Sequence, residues 1–92
     1  MSELQHFNLR IFGRVIGVNF RSAARDKAKS LKLTGFVKNE ADKTLYIEVE
    51  GESESLQKFI KWCHKGPFFA GVDKVEVGED ELKNFDEFKI IY

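Results

Sequence analysis

The sequence predicts an α+β sandwich: an antiparallel sheet of four to five strands with two helices packed on one face. Three observations lead there. Short stretches alternate apolar and polar residues with a period of two. Two longer stretches repeat apolar residues every three to four positions instead. No strand-like stretch is apolar throughout, so each strand has one wet side, the habit of an antiparallel sheet covered on a single face.

In the first stretch, Phe7, Leu9 and Ile11 alternate with His6, Asn8, Arg10 and Phe12, which marks a half-buried strand. Gly13 ends it. From Phe20 the period changes, and Phe20, Ala24, Ala28 and Leu31 fall on one helical face. Ala, Arg and Lys fill the remaining positions and favour a helix, expected to end near Leu33, before Thr34 and Gly35. Phe36 to Asn39 forms a second strand, and Glu40 to Lys43 a polar turn. Leu45, Ile47 and Val49 alternate with Thr44, Tyr46, Glu48 and Glu50 in a third strand that breaks at Gly51.

Ser53 is placed to cap a second helix through its hydroxyl, with Glu54 near the positive end of the dipole. Leu56, Phe59, Ile60 and Cys63 make its apolar stripe, and Gly66 and Pro67 stop it. Val75 and Val77 mark a fourth strand. Gly78 to Asn84 reads as an acidic connection, with Glu79, Asp80 and Glu81 solvated. Phe88, Ile90 and Tyr92 alternate in a last strand. The order βαββαβ plus a C-terminal strand is the split βαβ, or ferredoxin-like, plan, in which two helices cover one sheet face and supply the core.

Composition bounds the function. A chain of 92 residues suits one domain. The 15 basic and 15 acidic side chains cancel, whereas a nucleic-acid binder usually carries a basic excess. A lone cysteine, Cys63, forms no intramolecular disulfide and fits a reducing compartment. Its neighbour His64 does not complete a metal site. No run approaches the roughly 20 apolar residues that span a bilayer, and Met1 to His6 lacks a signal-peptide pattern. His6 and His64 read as surface residues in regular elements, and the carboxylates show no paired spacing for acid–base or metal chemistry. Ser22 has no evident base partner, and Lys27, Lys29 and Lys32 read as the wet side of the first helix.

Two short segments stand out. Gly13-Arg14-Val15-Ile16-Gly17-Val18-Asn19-Phe20-Arg21 joins the first strand to the first helix. A curved loop before a helix N-terminus aims several N–H groups at one spot and attracts anions. Arg21 falls in the first helical turn, where a cation is mildly unfavourable unless an anion is near; its planar fork suits phosphate. The segment is not a P-loop, since no Gly-Lys-Ser/Thr follows. By spacing alone, glycines placed for a tight turn explain it as well. The second segment is Gly35-Phe36-Val37-Lys38-Asn39. The Asn39 side chain can hold a water by accepting a hydrogen bond from it, or simply serve a turn.

Both segments resemble site motifs of the acylphosphatase family. The first is similar to Gly-Arg-Val-Gln-Gly-Val-any-Phe-Arg, with Ile16 in place of the usual glutamine. The second is similar to Gly-aromatic-Val-basic-Asn, followed here by Lys43 where glycine is common and by Leu45 where valine is usual. Lys65-Gly66-Pro67 and Phe88-Lys89-Ile90-Ile91-Tyr92 are also similar, so the resemblance runs from about Phe7 to Tyr92.

It implies one acylphosphatase-like domain over 1–92 that hydrolyses carboxyl-phosphate anhydrides without metal or cofactor. The loop backbone at Val15, Ile16, Gly17, Val18 and Asn19 and the side chain of Arg21 would bind phosphate, and Asn39 would position the attacking water. The implied partners are a small-molecule acyl phosphate, and inorganic phosphate as product or inhibitor. No nucleic acid and no membrane are implied, and a cytoplasmic monomer is expected. Two other readings remain on sequence grounds. One is an RNA-binding module using Phe12 and Tyr46 on the sheet. The other is an inactive relative that only binds phosphate or a partner.

Overall fold

The computed structural model describes residues 3–92. Its elements run β1 (Leu4–Arg14), α1 (Phe20–Ser30), β2 (Thr34–Asn39), β3 (Leu45–Glu52), α2 (Ser53–Lys65), β4 (Gly71–Asp80) and β5 (Phe88–Ile91). The sheet order is β4-β1-β3-β2-β5. Helix α1 packs on β2 and β5, while α2 packs on β4, β3 and β1. Register explains the core: Leu9, Ile47 and Val37 lie side by side across β1, β3 and β2, as do Ile11 and Leu45 on β1 and β3. These residues meet Phe20, Ala24 and Ala28 of α1 and Leu56, Phe59 and Cys63 of α2 in one buried cluster. Burying a side chain such as Phe59 contributes about 2 to 3 kcal/mol. Burial also pushes the Cys63 thiol well above its ordinary range, so it is an inert core group.

The first four strands pair antiparallel, as expected, but β5 pairs parallel with β2. The sheet is therefore mixed. The reason is topological: β4 and β5 occupy opposite edges, and segment 81–87 between them crosses the sheet. β4 also runs on to Asp80, so Glu79 and Asp80 belong to a strand rather than to a loop. Helix α1 stops at Ser30, short of Leu33, because Lys32 turns left-handed (φ 60°) and the Leu33 amide returns to the Ala28 carbonyl at 2.9 Å. Ser53 is not a cap. It is the first helical residue, its N–H donates to the Glu3 carbonyl, and Glu52 at the cap position makes no side-chain bond.

Gly35 sits at φ 142°, and a Cβ there would run into the Glu48 carbonyl of β3. Only glycine lets β2 lie this close to β3 in that conformation.

His6 is the main correction. It is fully buried rather than on the surface. It belongs to the sheet face opposite the helices, and segment 81–87 closes over it. Its Nδ1 lies 2.7 Å from Glu50 Oε2. Its Nε2 lies 3.0 Å from Glu48 Oε1, but off the line a hydrogen bond needs. Phe85 of the crossing segment lies over the ring, with centroids 5.8 Å apart. The Glu50 carboxylate also accepts the backbone N–H of Lys83 and of Phe85. Glu48 accepts the Lys83 ammonium at 2.9 Å and the Tyr46 hydroxyl at 2.9 Å.

Burial alone would raise both carboxyl pKa values. The hydrogen bonds from Lys83, Tyr46, Phe85 and His6 outweigh it and hold both below the ordinary value of 4.5. Burial, helped by the bond to Glu48, pushes the Tyr46 phenol up to about 12.

This cluster sets an acid limit on stability. Carboxyls with lowered folded pKa values contribute fully above their ordinary 4.5, and the contribution is lost as pH falls through it toward the folded values. The urea midpoint is expected to drop as pH falls below about 4.5. Glu50→Gln should lower the midpoint at neutral pH and make that acid decline shallower. An unchanged decline in the variant would remove Glu50 from the explanation.

Candidate functional site

β1, β2 and β5 run toward one end of the sheet, and three site-forming pieces collect there. The β1–α1 loop crosses from the end of β1 to the helix lying on β2 and β5. Asn39 ends β2, and Tyr92 follows β5. A cavity of about 100 Å³ opens between them, lined by Val15, Gly17, Asn19, Phe20, Arg21, Ser22, Asn39, Ile90 and Tyr92. That is roughly three water volumes, enough for a tetrahedral oxyanion.

The loop conformation follows from its residues. Gly17 adopts φ 75° and Asn19 φ 64°, two left-handed residues that curve the chain and turn its N–H groups inward. Asn19 holds the N-cap of α1, yet its side chain makes no capping bond. Only its carbonyl is used, accepting the Ala23 N–H at 3.2 Å. The first-turn amides of α1 thus lack a side-chain partner. No acidic residue occupies that turn, whereas Lys27 and Lys29 suit the dipole in the last. The positive end of the helix and the Arg21 guanidinium make this a cationic cleft.

Of the predicted site residues, Val15, Gly17, Asn19, Arg21 and Asn39 line the cavity together. Ile16 and Val18 contribute backbone to the same loop, but their side chains do not line it. Ile16 is among the exposed apolar residues, whereas Val15 is buried. Asn39 sits in strand conformation, paired with Leu45, rather than in a left-handed turn. The left-handed turn residue is Lys43, at φ 68°. It therefore adopts a backbone that suits glycine, at a cost of about 1 to 2 kcal/mol. Asp42 steadies the turn by accepting from the Thr44 amide and hydroxyl, bonds that lower its own pKa.

Sequence reasoning missed Ile90 and Tyr92 as wall residues. The Tyr92 ring lies under the Arg21 guanidinium, 4.9 Å from its centroid, and Tyr92 is otherwise 93% exposed. Stacking fixes the plane of an arginine fork while leaving its N–H edges free. Only the parallel seating of β5 beside β2 brings the two together, and no local pattern announces that pairing. Among the described residues, no group of three or more His, Cys, Asp or Glu side chains is arranged to hold a metal ion. In the buried cluster the two imidazole nitrogens face different carboxylates rather than one shared point. No described helix is long and apolar enough to cross a membrane.

The fold and the cleft define a class: a βαββαβ sandwich whose first strand-to-helix loop, with an arginine and an asparagine, frames a small cationic cavity. Comparison with known proteins gives the family. The family model described as Acylphosphatase matches residues 7–90. An acylphosphatase of Thermococcus kodakarensis is 39% identical over 84 residues, covering 91% of this chain and 92% of that one. The structure of an acylphosphatase from Coxiella burnetii superposes with a TM-score of 0.93 at 31% identity, covering 96% of this chain and 93% of that one. One from Bacillus subtilis gives 0.93 at 34%, covering 98% of this chain and all of the other. The chain belongs to the acylphosphatase family. Its activity is hydrolysis of acyl phosphates.

Tyr92→Ala is expected to leave the fold intact, because the ring is almost wholly exposed. The loss of stacking under Arg21 should raise the inhibition constant of inorganic phosphate about two- to fivefold, as an exposed cation–π contact of about 0.5 to 1 kcal/mol implies. Unchanged phosphate inhibition with unchanged KM would show that the stack does not hold Arg21.

Proposed function

We propose that the chain acts as a single-domain acylphosphatase in which the backbone of Val15, Ile16, Gly17, Val18 and Asn19 cradles the phosphoryl group. The Arg21 guanidinium grips that group, and Asn39 positions the water that attacks it. The observation that carries this reading is convergence: Val15, Gly17, Asn19 and Arg21 at the start of α1 line one cavity of about 100 Å³ together with Asn39 from the end of β2.

The chemistry suits such a site. The leaving group is a carboxylate, whose conjugate acid has a pKa near 4, so it departs without protonation. Phosphoryl transfer then rests on positioning and charge stabilisation. Cradle amides and Arg21 stabilise the equatorial oxygens. The Asn39 carbonyl accepts a hydrogen bond from the water and holds it in line with the bond to the acyl oxygen. The water oxygen bonds to phosphorus as the bond to the acyl oxygen breaks. One hydrogen stays on the attacking oxygen and the other passes as a proton to a phosphoryl oxygen, so no protein base is required. The products are a carboxylate and inorganic phosphate, and phosphate competes for the same cradle.

Ile16 is compatible with this function, since its N–H remains available and its side chain stays outside the cavity. The zero net charge and the acidic Glu48–Glu50 pair on the far sheet face disfavour nucleic acid as a partner. A monomer in a reducing compartment, the cytoplasm, completes the reading.

The decisive experiment is hydrolysis of an aromatic acyl phosphate with and without a chelator. Activity should persist with chelator, and simple phosphate esters should be poor substrates, because an alkoxide leaving group needs an acid this site lacks. Activity abolished by chelator and restored by magnesium would overturn the proposal.

Arg21 and Asn39 should fail in different ways. Arg21→Ala should weaken both phosphate inhibition and turnover, and Arg21→Lys should not restore them, since a point charge cannot replace the planar fork. Asn39→Ala should lower kcat by about 100- to 1000-fold, the usual cost of losing one preorganised polar group, with phosphate inhibition nearly unchanged. Full kcat in Asn39→Ala, or normal phosphate binding in Arg21→Ala, would reverse the assignment.

A further inference from the structure

Segment 81–87 leaves one edge of the sheet and arrives at the other, passing over the face that the helices do not cover. An unanchored seven-residue crossing would be mobile, yet this one is tied at its centre. Both Glu50 oxygens accept from its backbone, Oε2 from Lys83 N and Oε1 from Phe85 N. The Lys83 ammonium reaches Glu48 Oε1 at 2.9 Å. The Phe85 ring covers His6 and meets Phe36 edge-on, each with centroids 5.8 Å apart. His6 in turn holds Glu50 Oε2 at 2.7 Å. A buried carboxylate with three donors around it is a strong, directional anchor.

Beyond this strap the chain enters the short edge strand β5. It has one neighbour, β2, over four residue pairs. The strap's last residue accepts the Gly35 amide through the Glu87 carbonyl at 2.9 Å. From there β5 carries Ile90 and Tyr92 to the cavity wall, and Tyr92 lies under Arg21. The buried Phe88, packed 6.1 Å from Phe59, pins the start of the strand independently.

We propose that Glu50, supported by His6, is a positioning residue for the phosphate site, acting from the opposite end of the sheet. It latches the crossing strap, the strap sets the seating of β5 beside β2, and β5 places Tyr92 under Arg21. The inference rests on the cleft around Arg21 being the phosphate site.

The test uses Glu50→Gln, which keeps the side-chain size but presents an amide NH₂ to groups that are themselves donors. Phe85→Ala is the second variant, should the first fold poorly. Amide hydrogen exchange should lose protection across 81–91 while β1 and β3 stay protected. The inhibition constant of inorganic phosphate should rise about two- to fivefold, by the same amount as in Tyr92→Ala. The double variant with Tyr92→Ala should be no worse than Tyr92→Ala alone, because both changes act through one contact. Leu56→Ala, which weakens the core under α2, should leave phosphate inhibition unchanged.

Additive effects in the double variant, or unchanged phosphate inhibition in a Glu50→Gln protein whose strap exchanges freely, overturn the inference while leaving the hydrolase reading intact. If the unaltered protein hydrolyses acyl phosphates but is not inhibited by phosphate, the placement of the site falls, and this inference with it.

Discussion

The two edge strands of this sheet are consecutive in the chain, and that constraint governs much of the rest. β4 and β5 lie at opposite edges of a five-stranded sheet, so the polypeptide must cross the sheet between them. One face is already filled by the helices. The crossing therefore runs over the other face, where strand alternation has left His6, Glu48 and Glu50. A loop over apolar side chains would bury backbone N–H groups without partners. Here the buried carboxylate of Glu50 supplies those partners, and the polar face becomes the anchor of the crossing.

The two faces of the sheet are thus held by different physics. Under the helices, Leu9, Ile11, Ile47 and Phe59 gain from leaving water, and the gain tolerates modest changes of shape. Under the strap, buried charge is costly unless every donor and acceptor is matched. The cluster matches nearly all of them, with His6 Nε2 as the single ring atom off its hydrogen-bond line. Such an arrangement adds little net stability over an apolar packing, yet displacing one partner leaves a buried charge unmatched and is costly. That is the property a short parallel edge strand needs, since four residue pairs alone specify its seating weakly.

Local patterns carried much of the fold. The alternation at Leu9 and Ile11, the repeat from Phe20 to Ala28, and the Gly66-Pro67 stop are all properties of neighbouring residues, and each element they mark exists. What sequence could not show depends on residues far apart. His6 looks like a surface residue because its partners lie on β3 and in the strap, over 40 positions away. The parallel pairing of β5, and with it Tyr92 at the cleft, follows from the crossing and from no feature of Phe88 to Tyr92. Ser53 has the chemistry of a cap, but it lies one residue inside the helix because its amide is drawn to Glu3. Arg21 and Asn39 were legible through family motifs. Their meeting in one cavity is a fact of topology.

Two of the three departures from those motifs, at Ile16 and Lys43, bear on loop and turn backbone. At Ile16 the usual side chain is lost, but neighbouring Val15 and Gly17 turn toward the cavity while Ile16 is exposed. A cradle made of backbone N–H groups depends on φ and ψ, not on the group at Cβ, so long as Gly17 and Asn19 keep their left-handed turns. At Lys43 the usual glycine is lost, and the backbone still takes the glycine-like conformation, held by the Lys43 amide on the Glu40 carbonyl and by Asp42 on Thr44. Strain at Lys43 is local to an exposed turn and is offset by those bonds. Asn39 therefore ends β2 in regular pairing with Leu45, with no distortion passed to it. Both departures sit at left-handed backbone, beside Gly17 and Asn19 in one case and at Lys43 itself in the other, and both are compatible with the proposed reading in which the main chain forms the binding surface and Arg21 and Asn39 act through their side chains.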